Sequence, residues 1–262
     1  MNSIEIENAS VIYGTKTALK NISWSVRQGE RYFILGANGA GKTTLVKMLL
    51  GYIWPRYGAK ISVLGQQFGK VCLAELRKRI AWVSPFVHQL TQNPNLTACE
   101  LIVSGKNAAF GVYFEEVSPE DEEKARQLLA LLNADALLHQ NVRTLSSGEQ
   151  VKVLIARALM TDPELMILDE PTVFMDVPGR EFLLKTIGRL AEDRPDLTII
   201  FISQRIEDIL PVFQHGMILK QGEIIVSGTR DEVLTEANLK RAFDMDLKLV
   251  HTQSGRYWTV IE

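Results

Sequence analysis

The sequence predicts an α/β protein with a mainly parallel sheet, built around a glycine-rich loop. Three observations predict this class. The segment Gly36–Thr44, GANGAGKTT, contains the pattern G-x-x-x-x-G-K-[ST]. Short apolar runs precede this segment and recur at 165–168 and 198–202, and helical patterns follow them. Short buried strands that alternate with helices are typical of parallel sheets.

The glycine-rich loop lies between a predicted strand and a predicted helix. Arg31–Leu35 is an apolar run with the pattern of a buried strand, and Thr44–Leu50 predicts a helix that ends at Gly51. In this setting glycines let successive N–H groups converge on phosphate oxygens, and the positive helix end adds to their field. The strand and helix disfavour the alternative, a glycine turn with a chance lysine.

The loop therefore predicts binding of a nucleoside triphosphate. Lys42 is expected to reach the β- and γ-phosphates, and the Thr43 hydroxyl to coordinate Mg²⁺. The predicted nucleotide-binding residues of the loop are Gly36, Asn38, Gly39, Ala40, Gly41, Lys42, Thr43 and Thr44.

Two carboxylates follow a second predicted strand, Leu165–Leu168. Ligands bind at the carboxyl ends of strands in open α/β sheets, which is where Asp169 and Glu170 lie. We expect Asp169 to hold Mg²⁺ through water, and Glu170 to orient or deprotonate the attacking water. Paired acids at a strand end are by themselves more often solvated turn residues. The phosphate loop in the same chain favours the catalytic interpretation.

A third motif, Leu145–Gln150 (LSSGEQ), stands directly before the predicted amphipathic helix Val151–Met160. The order of phosphate loop, LSSGEQ, apolar strand and DEPT resembles the ATP-binding cassette (ABC) ATPases over nearly the whole chain. The resemblance implies that two chains dimerise head to tail around two ATP molecules. Each helix end would then cap the γ-phosphate held on the partner's loop, through Ser146, Ser147, Gly148 and Glu149. A plain helix cap by Ser146 or Ser147 is compatible with that role.

The resemblance assigns roles to further residues. Tyr13, in the strand-like segment Ile4–Leu19, occupies the place of an aromatic that stacks on adenine in this family, although an aromatic at a strand end also serves simply for packing. Asp176 matches the aspartate that communicates across the dimer to the other active site.

The chain departs from the family pattern at two positions. Pro85, after the predicted strand Arg79–Ser84, replaces a glutamine and offers no side-chain oxygen; His88 and Gln89 are nearby substitutes. Gln204, after the predicted strand Thr198–Ile202, replaces a histidine that bonds the γ-phosphate. Glutamine donates an amide hydrogen bond but cannot become cationic, which removes ~1–3 kcal/mol of charge stabilisation. We therefore predict tight ATP binding, slow turnover, and a catalytic set of Glu170, Lys42 and Gln204.

The motifs place one ABC ATPase domain over residues 1–262. The β subdomain and P-loop core are expected at about 1–84 and 161–262, and a helical subdomain that carries LSSGEQ at about 85–160. The flanking β subdomain is expected to be antiparallel. An apolar segment at 108–114, with Phe110, Tyr113 and Phe114, is either a docking surface together with Phe86 or subdomain core. A hairpin over 217–226, a helix over 230–243 and strand-like runs at 247–252 and 256–261 close the chain.

Composition excludes several classes of function. With 262 residues, 46% hydrophobic content and a net charge of −2, the chain can bury a large core, and nothing favours nucleic acid as a direct partner. Cys72 and Cys99 lack the spacing of a zinc site or a disulfide framework. No apolar run approaches about 18 residues. We expect a cytoplasmic protein, either free or bound peripherally at the inner face of the cell membrane.

Two functions remain open at this point. The first is the ATP-hydrolysing subunit of an ABC transporter, with ATP and Mg²⁺ as cofactors, which pairs with itself or a homologous subunit and drives a separate transmembrane permease. The second is a soluble, non-transport ABC ATPase that acts as an ATP-gated switch on a cytosolic partner. Pro85 weakens the first interpretation, because in the family this position joins the nucleotide site to the membrane partner.

Overall fold

The computed structural model describes residues 1–84, 87–93, 95–107, 117–173 and 175–261. The strands are β1 (Asn2–Tyr13), β2 (Lys16–Arg27), β3 (Arg31–Leu35), β4 (Lys60–Val63), β5 (Gln66–Gln67), β6 (Ile80–Val83), β7 (Leu165–Asp169), β8 (Thr198–Ser203), β9 (His215–Lys220), β10 (Glu223–Thr229), β11 (Lys248–His251) and β12 (Tyr257–Val260). The helices are α1 (Lys42–Leu49), α2 (Leu73–Lys78), α3 (Ala98–Val103), α4 (Pro119–Leu131), α5 (Ser147–Leu159), α6 (Val177–Asp193), α7 (Arg230–Val233) and α8 (Glu236–Phe243). Short 3₁₀ turns include Val87–Gln92 and Ile206–Asp208.

The chain folds into two compact units. The first contains Met1–Leu76 and Asp196–Glu262, and the second contains Arg77–Pro195. The phosphate loop belongs to the first unit, whereas the DEPT and LSSGEQ motifs belong to the second.

The first unit contains two larger sheets and a terminal hairpin. An antiparallel sheet has the strand order β2-β1-β4-β5. In the other sheet β3 pairs in parallel with β8 and β9, and β10 runs antiparallel to β9. The side chains of β8 are buried throughout and those of β3 are buried except at Arg31, as their continuous apolar sequences predict. Strands β11 and β12 pair only with each other among the described residues.

The register of β3 and β8 positions the start of the phosphate loop. Leu35 lies opposite Ser203, and the N–H of Gly36 donates to the Ser203 carbonyl at 3.3 Å. The carboxyl ends of the two strands therefore lie side by side, and the residues that follow them, Gly36 and Gln204, begin their loops at the same edge of the sheet.

In the second unit β6 and β7 pair in parallel, with Ile80 opposite Leu165 and Val83 opposite Leu168. All five residues of β7 are buried. Helices α3, α4 and α5 pack against one another. Asp169 is the last residue of β7, so the sequence prediction of a buried strand ending in carboxylates is confirmed.

Several helices differ in extent from the sequence prediction. Helix α1 begins at Lys42 rather than Thr44, and α5 begins at Ser147 rather than Val151. The single helix expected over 230–243 is wrong, because α7 ends at Val233 and Thr235 starts α8 as its N-cap. The Thr235 side chain accepts a hydrogen bond from the Asn238 N–H at 3.3 Å, which satisfies a donor of the new helix.

Some predictions fall outside the described residues. These are Pro85, Phe86 and the apolar segment with Phe110, Tyr113 and Phe114. The side chains of His88 and Gln89 are also not described. Within the described parts of the chain, none of the helices has the length and apolar character needed to cross a membrane.

Candidate nucleotide site

The phosphate loop joins β3 to α1 through left-handed glycines. Gly39 has φ of 79° and Gly41, the N-cap of α1, has φ of 110°. Residues with a Cβ rarely adopt this region. Gly36 is required for a different reason, since a Cβ there would lie 2.4 Å from the Leu219 carbonyl oxygen. The turn therefore needs glycine at 39 and 41 for the left-handed backbone, and at 36 because the Leu219 carbonyl leaves no room for a Cβ.

Lys42 is held inside the loop. Its side chain is buried, with 5% of the residue exposed, and Nζ donates to the carbonyls of Gly36 at 2.7 Å and Ala37 at 3.0 Å. The ammonium therefore adds its charge to the positive end of α1.

The other residues of the loop differ in exposure. Asn38, Gly39 and Thr43 are exposed, Ala40 is buried and Thr44 is half-buried. This arrangement of N–H groups, one lysine and a hydroxyl is suited to an anionic ligand with several phosphate oxygens.

Tyr13 lies at the end of β1, in the same unit as the phosphate loop. It pairs with Lys16 across the hairpin, and 49% of the residue is exposed. Strand β2 approaches the loop two residues further on, since a Cβ on Gly41 would lie 2.9 Å from the Ala18 carbonyl oxygen. The hairpin end and the phosphate loop are thus neighbours, and the ring of Tyr13 is not part of the core.

Gln204 is half-buried and follows β8 directly. Its side chain forms no hydrogen bond to the described residues. In its neighbour Ser203, by contrast, both the carbonyl and the hydroxyl are hydrogen-bonded. The Ser203 carbonyl accepts from Gly36, and its hydroxyl donates to Asp208 Oδ2 at 3.0 Å. The sequence did not lead us to Ser203 and Asp208 as residues that support this turn. The available signal was a serine directly before Gln204 with an aspartate five residues after that serine.

The two carboxylates at the end of β7, Asp169 and Glu170, have different environments. Asp169 is 2% exposed, whereas Glu170 is half-buried and adopts φ of 51°. The left-handed region is unfavourable for a residue with a side chain by ~1 kcal/mol, and such strain clusters at functional sites. No sequence pattern indicated this backbone conformation.

The LSSGEQ motif forms the N-terminus of α5. Ser146 is the N-cap, its Oγ accepts from the Glu149 N–H at 3.4 Å, and its own N–H donates to Glu149 Oε2 at 2.9 Å. The Ser146 hydroxyl also donates to this carboxylate at 2.7 Å, and the bonds from Ser146 lower the pKa of Glu149. Ser146 and Ser147 are exposed, and Gly148 is partly exposed. Ser146 therefore is a helix cap, and Ser147 and Gly148 present the helix end to the surface.

Asp176 is also a helix cap. It precedes α6, and its Oδ1 accepts from the Gly179 N–H at 2.9 Å. The residue is exposed. Its carboxylate thus has a structural function within the chain, which does not prevent a second function at the surface.

Thr43 in the first unit carries a hydroxyl and Asp169 in the second a carboxylate, and each oxygen group is of a kind that Mg²⁺ accepts as a ligand. No group of three or more His, Cys, Asp or Glu side chains that could hold a metal occurs in the described part of the chain. Mg²⁺ is commonly bound through one or two carboxylates together with substrate phosphates, and does not require a cage of protein ligands.

Comparison with known proteins identifies the family. The family model described as ABC transporter matches residues 19–173, which include the phosphate loop and the LSSGEQ and DEPT motifs. The chain is 41% identical over 260 residues to the "Uncharacterized ABC transporter ATP-binding protein YlmA" of Bacillus subtilis, covering 99% of this chain and 97% of that protein. The chain belongs to the ABC transporter ATP-binding proteins.

Solved structures show the same fold. The chain is similar to the ADP conformation of MJ1267, an ATP-binding cassette of an ABC transporter, with a TM-score of 0.77 and 24% identity over 93% of this chain and 98% of that one. It is also similar to the dimeric post-hydrolysis state of the ATP-binding cassette MJ0796 bound to ADP and phosphate, with a TM-score of 0.71 and 22% identity over 86% of this chain and 98% of that one. The predicted α/β fold, with a mainly parallel sheet and a flanking antiparallel sheet, is confirmed.

Proposed function

We propose that this chain binds Mg²⁺ and ATP and hydrolyses the nucleotide to drive a separate transmembrane permease. The observation that carries the proposal is the phosphate loop, in which left-handed glycines and the buried ammonium of Lys42 stand at the N-terminus of α1. The family supports the coupling to transport, because its members are named as the ATP-binding proteins of transporters.

Each candidate residue has a role in this proposal. Backbone groups of the loop and Lys42 bind the phosphates, and the half-exposed ring of Tyr13 stacks on adenine. The Thr43 hydroxyl would coordinate Mg²⁺ and Asp169 would hold it through water, and the ion would neutralise charge on the phosphates. Glu170 orients the attacking water and accepts its proton. Gln204 donates an amide hydrogen bond to the γ-phosphate.

We further propose that two chains dimerise head to tail. The exposed end of α5, with Ser147 and Gly148, is a helix N-terminus that can bind an anion held by another chain. Ser146 and Glu149 hold that end in shape, and Asp176 acts across the interface. A solved cassette with the same fold is described as dimeric and bound to ADP and phosphate, which supports dimerisation. The partner is a second copy or a homologous subunit.

The same proposal gives the organisation and location of the protein. One ABC domain would comprise a β subdomain with the P-loop core, at about 1–84 and 161–262, and a helical subdomain at about 85–160. The chain would lie in the cytoplasm, at the inner face of the membrane that holds its permease.

Gln204 favours a second candidate function, an ATP-gated switch on a cytosolic partner. A neutral amide cannot supply the cationic stabilisation of a histidine, so ATP would be bound tightly and turned over slowly. A long-lived ATP complex is useful to a switch. A transporter subunit with slow basal turnover would be accelerated by its permease.

The test is Mg²⁺-dependent ATP hydrolysis by the purified chain and its Glu170→Gln variant, with nucleotide affinity measured on both. We expect the variant to bind ATP as the parent does and to lose turnover at least ~100-fold, since general base catalysis contributes on the order of 10²–10⁴. Equal turnover in the two proteins would show that Glu170 does not act as the general base. ATP binding without turnover in the parent chain would favour the switch.

A further inference from the structure

The C-terminal hairpin contacts the turn that carries Gln204. Strands β11 and β12 pair antiparallel, with Leu249 opposite Thr259 and His251 opposite Tyr257. Strand β12 packs against the 3₁₀ turn Ile206–Asp208, which follows β8. This contact joins the end of the chain to the segment beside the phosphate loop, within a single folding unit.

Glu207 is the centre of the contact, and both of its acceptor groups are bound by the hairpin. The Thr259 hydroxyl donates to Glu207 Oε1 at 2.7 Å, and the Thr259 N–H donates to the same oxygen at 3.4 Å. The Arg256 guanidinium donates to the Glu207 carbonyl oxygen through Nε at 3.1 Å and also through Nη2. Hydrogen bonds that involve a charged group are among the stronger ones in proteins.

The turn after β8 is tied to the phosphate loop by its own hydrogen bonds. Asp208 is fully buried and accepts from the Ser203 hydroxyl, which in turn accepts from the Arg205 N–H at 2.9 Å. The Ser203 carbonyl accepts from Gly36. Gln204 thus lies between two hydrogen-bonded neighbours, Ser203 and Arg205, in a segment that Gly36 contacts on one side and Thr259 contacts, through Glu207, on the other.

The hairpin is itself anchored to the rest of the first unit. The Tyr257 hydroxyl donates to Asp231 at 3.0 Å, and Arg230 donates to the Gly255 carbonyl at 2.9 Å while its guanidinium lies 5.2 Å from the Tyr257 ring centroid. The Leu249 N–H donates to Glu236 of α8 at 2.9 Å. A hairpin held by α7 and α8 can fix the position of the turn that it contacts.

We propose that the C-terminal hairpin positions Gln204 for the γ-phosphate, with Thr259 and Arg256 as positioning residues that act through Glu207. This inference rests on the proposed ATP hydrolysis. It assigns the hairpin to the hydrolysis step and not to nucleotide binding, because Lys42 Nζ is held by the carbonyls of Gly36 and Ala37, whereas Thr259 and Arg256 donate to Glu207.

The experiment removes one hairpin contact at a time. Thr259→Val loses the hydroxyl donor to Glu207 at nearly constant shape, and Thr259→Ser retains the donor. Tyr257→Phe is the matched control. It removes one hydrogen bond of the same hairpin, to Asp231 of α7, while Arg230 and Glu236 still hold the hairpin and the Thr259–Glu207 contact is kept. We expect Thr259→Val to lower kcat ~5- to 10-fold and to leave ATP affinity unchanged. A loss of this size is at or below what one hydrogen bond to a charged group contributes. Thr259→Ser and Tyr257→Phe are expected to retain the parent kcat.

Two further measurements separate this inference from the proposed function. In a Gln204→Ala background, Thr259→Val is expected to have no additional effect on kcat, because residues that act through one another are not additive. Hydrogen exchange in the peptide over 203–209 is expected to be faster in Thr259→Val than in Tyr257→Phe, with or without turnover. Equal exchange in the two variants, or a Thr259→Val effect that persists without Gln204, would overturn the inference. A parent chain that does not hydrolyse ATP would overturn the proposed function while leaving the exchange result decisive for the hairpin.

Discussion

At the scale of single residues, the neutral side chain at position 204 is the reason that we expect slow ATP hydrolysis. Gln204 stands beside the start of the phosphate loop, where the Ser203 carbonyl meets the Gly36 N–H. In the proposed ATP complex, a cationic donor at this position would stabilise the charge of the transferred phosphoryl group, whereas a neutral amide would supply a weaker hydrogen bond.

Replacing Gln204 by histidine should therefore accelerate hydrolysis. A gain of ~1–3 kcal/mol in charge stabilisation corresponds to roughly ten- to a hundredfold in kcat. The gain in kcat is measured by steady-state ATP hydrolysis of Gln204→His, with Gln204→Ala as the control that removes the amide. An unchanged rate in Gln204→His would show that the side chain at 204 does not contact the γ-phosphate.

The two cysteines provide a test of the packing itself. Cys99 is buried in α3, and burial raises the pKa of its thiol to about 11, whereas Cys72 is exposed. Only thiolates react quickly, so near pH 8 a thiol reagent should label Cys72 at least ~10-fold faster than Cys99 in the native protein. Comparison of Cys72→Ser with Cys99→Ser in a timed labelling reaction checks it. Rapid labelling of Cys72→Ser would contradict the burial of α3.

Residue identities in the motifs could be predicted from sequence, but their conformations could not. The pattern around Lys42 and the acids after β7 are local in sequence, so spacing alone locates them. The left-handed backbone of Glu170 and the burial of Asp208 depend on the fold around them, and no local pattern encodes either feature.

At the scale of elements, three of the candidate residues form helix caps. Ser146 and Glu149 form a capping box at α5, and Asp176 caps α6 through the Gly179 N–H. These caps fix where each helix begins, and hence where the exposed polar groups of its first turn lie.

Asp176 allows the cap to be separated from a role between subunits. Asp176→Ala loses the cap, which costs ~1 kcal/mol and lowers Tm by roughly 2–4 °C in a chain of this size. Asp176→Asn keeps the cap but removes the charge, so its Tm should match the parent. If the carboxylate acts across a dimer, Asp176→Asn should nevertheless weaken ATP-dependent dimerisation in light scattering. A parent-like dimer in Asp176→Asn would restrict this residue to capping.

Strands were predicted better than helix ends. Continuous apolar runs identify β3, β7 and β8, because both faces of these strands are buried. Helix α1 starts at a glycine cap that has no side-chain signal of its own. The sequence predicted α7 and α8 as one helix. A single capping threonine, Thr235, is a weaker signal in a sequence than the regular spacing of apolar residues along a helix.

At the scale of the whole molecule, the candidate residues are divided between two folding units. The phosphate loop, Tyr13 and Gln204 lie in the first, and Asp169, Glu170, the LSSGEQ helix end and Asp176 lie in the second. The contact between the C-terminal hairpin and the turn after β8 joins distant parts of the chain, so the sequence indicated the two strands but not what they touch.

The central claim is that each ATP is bound between the phosphate loop of one chain and the LSSGEQ helix end of another. The most direct test mixes two variants, Lys42→Met and Ser147→Arg, in an ATPase assay. Each variant alone would place a defect in both sites of its dimer and should be inactive. In a mixed dimer, both defects fall in one site and the other site is intact.

An equal mixture should therefore recover about a quarter of the parent activity, since about half of the dimers are mixed and each has one intact site of two. Recovery of that order establishes the head-to-tail arrangement. Two inactive variants whose mixture stays inactive, although light scattering shows mixed dimers with ATP, would contradict it.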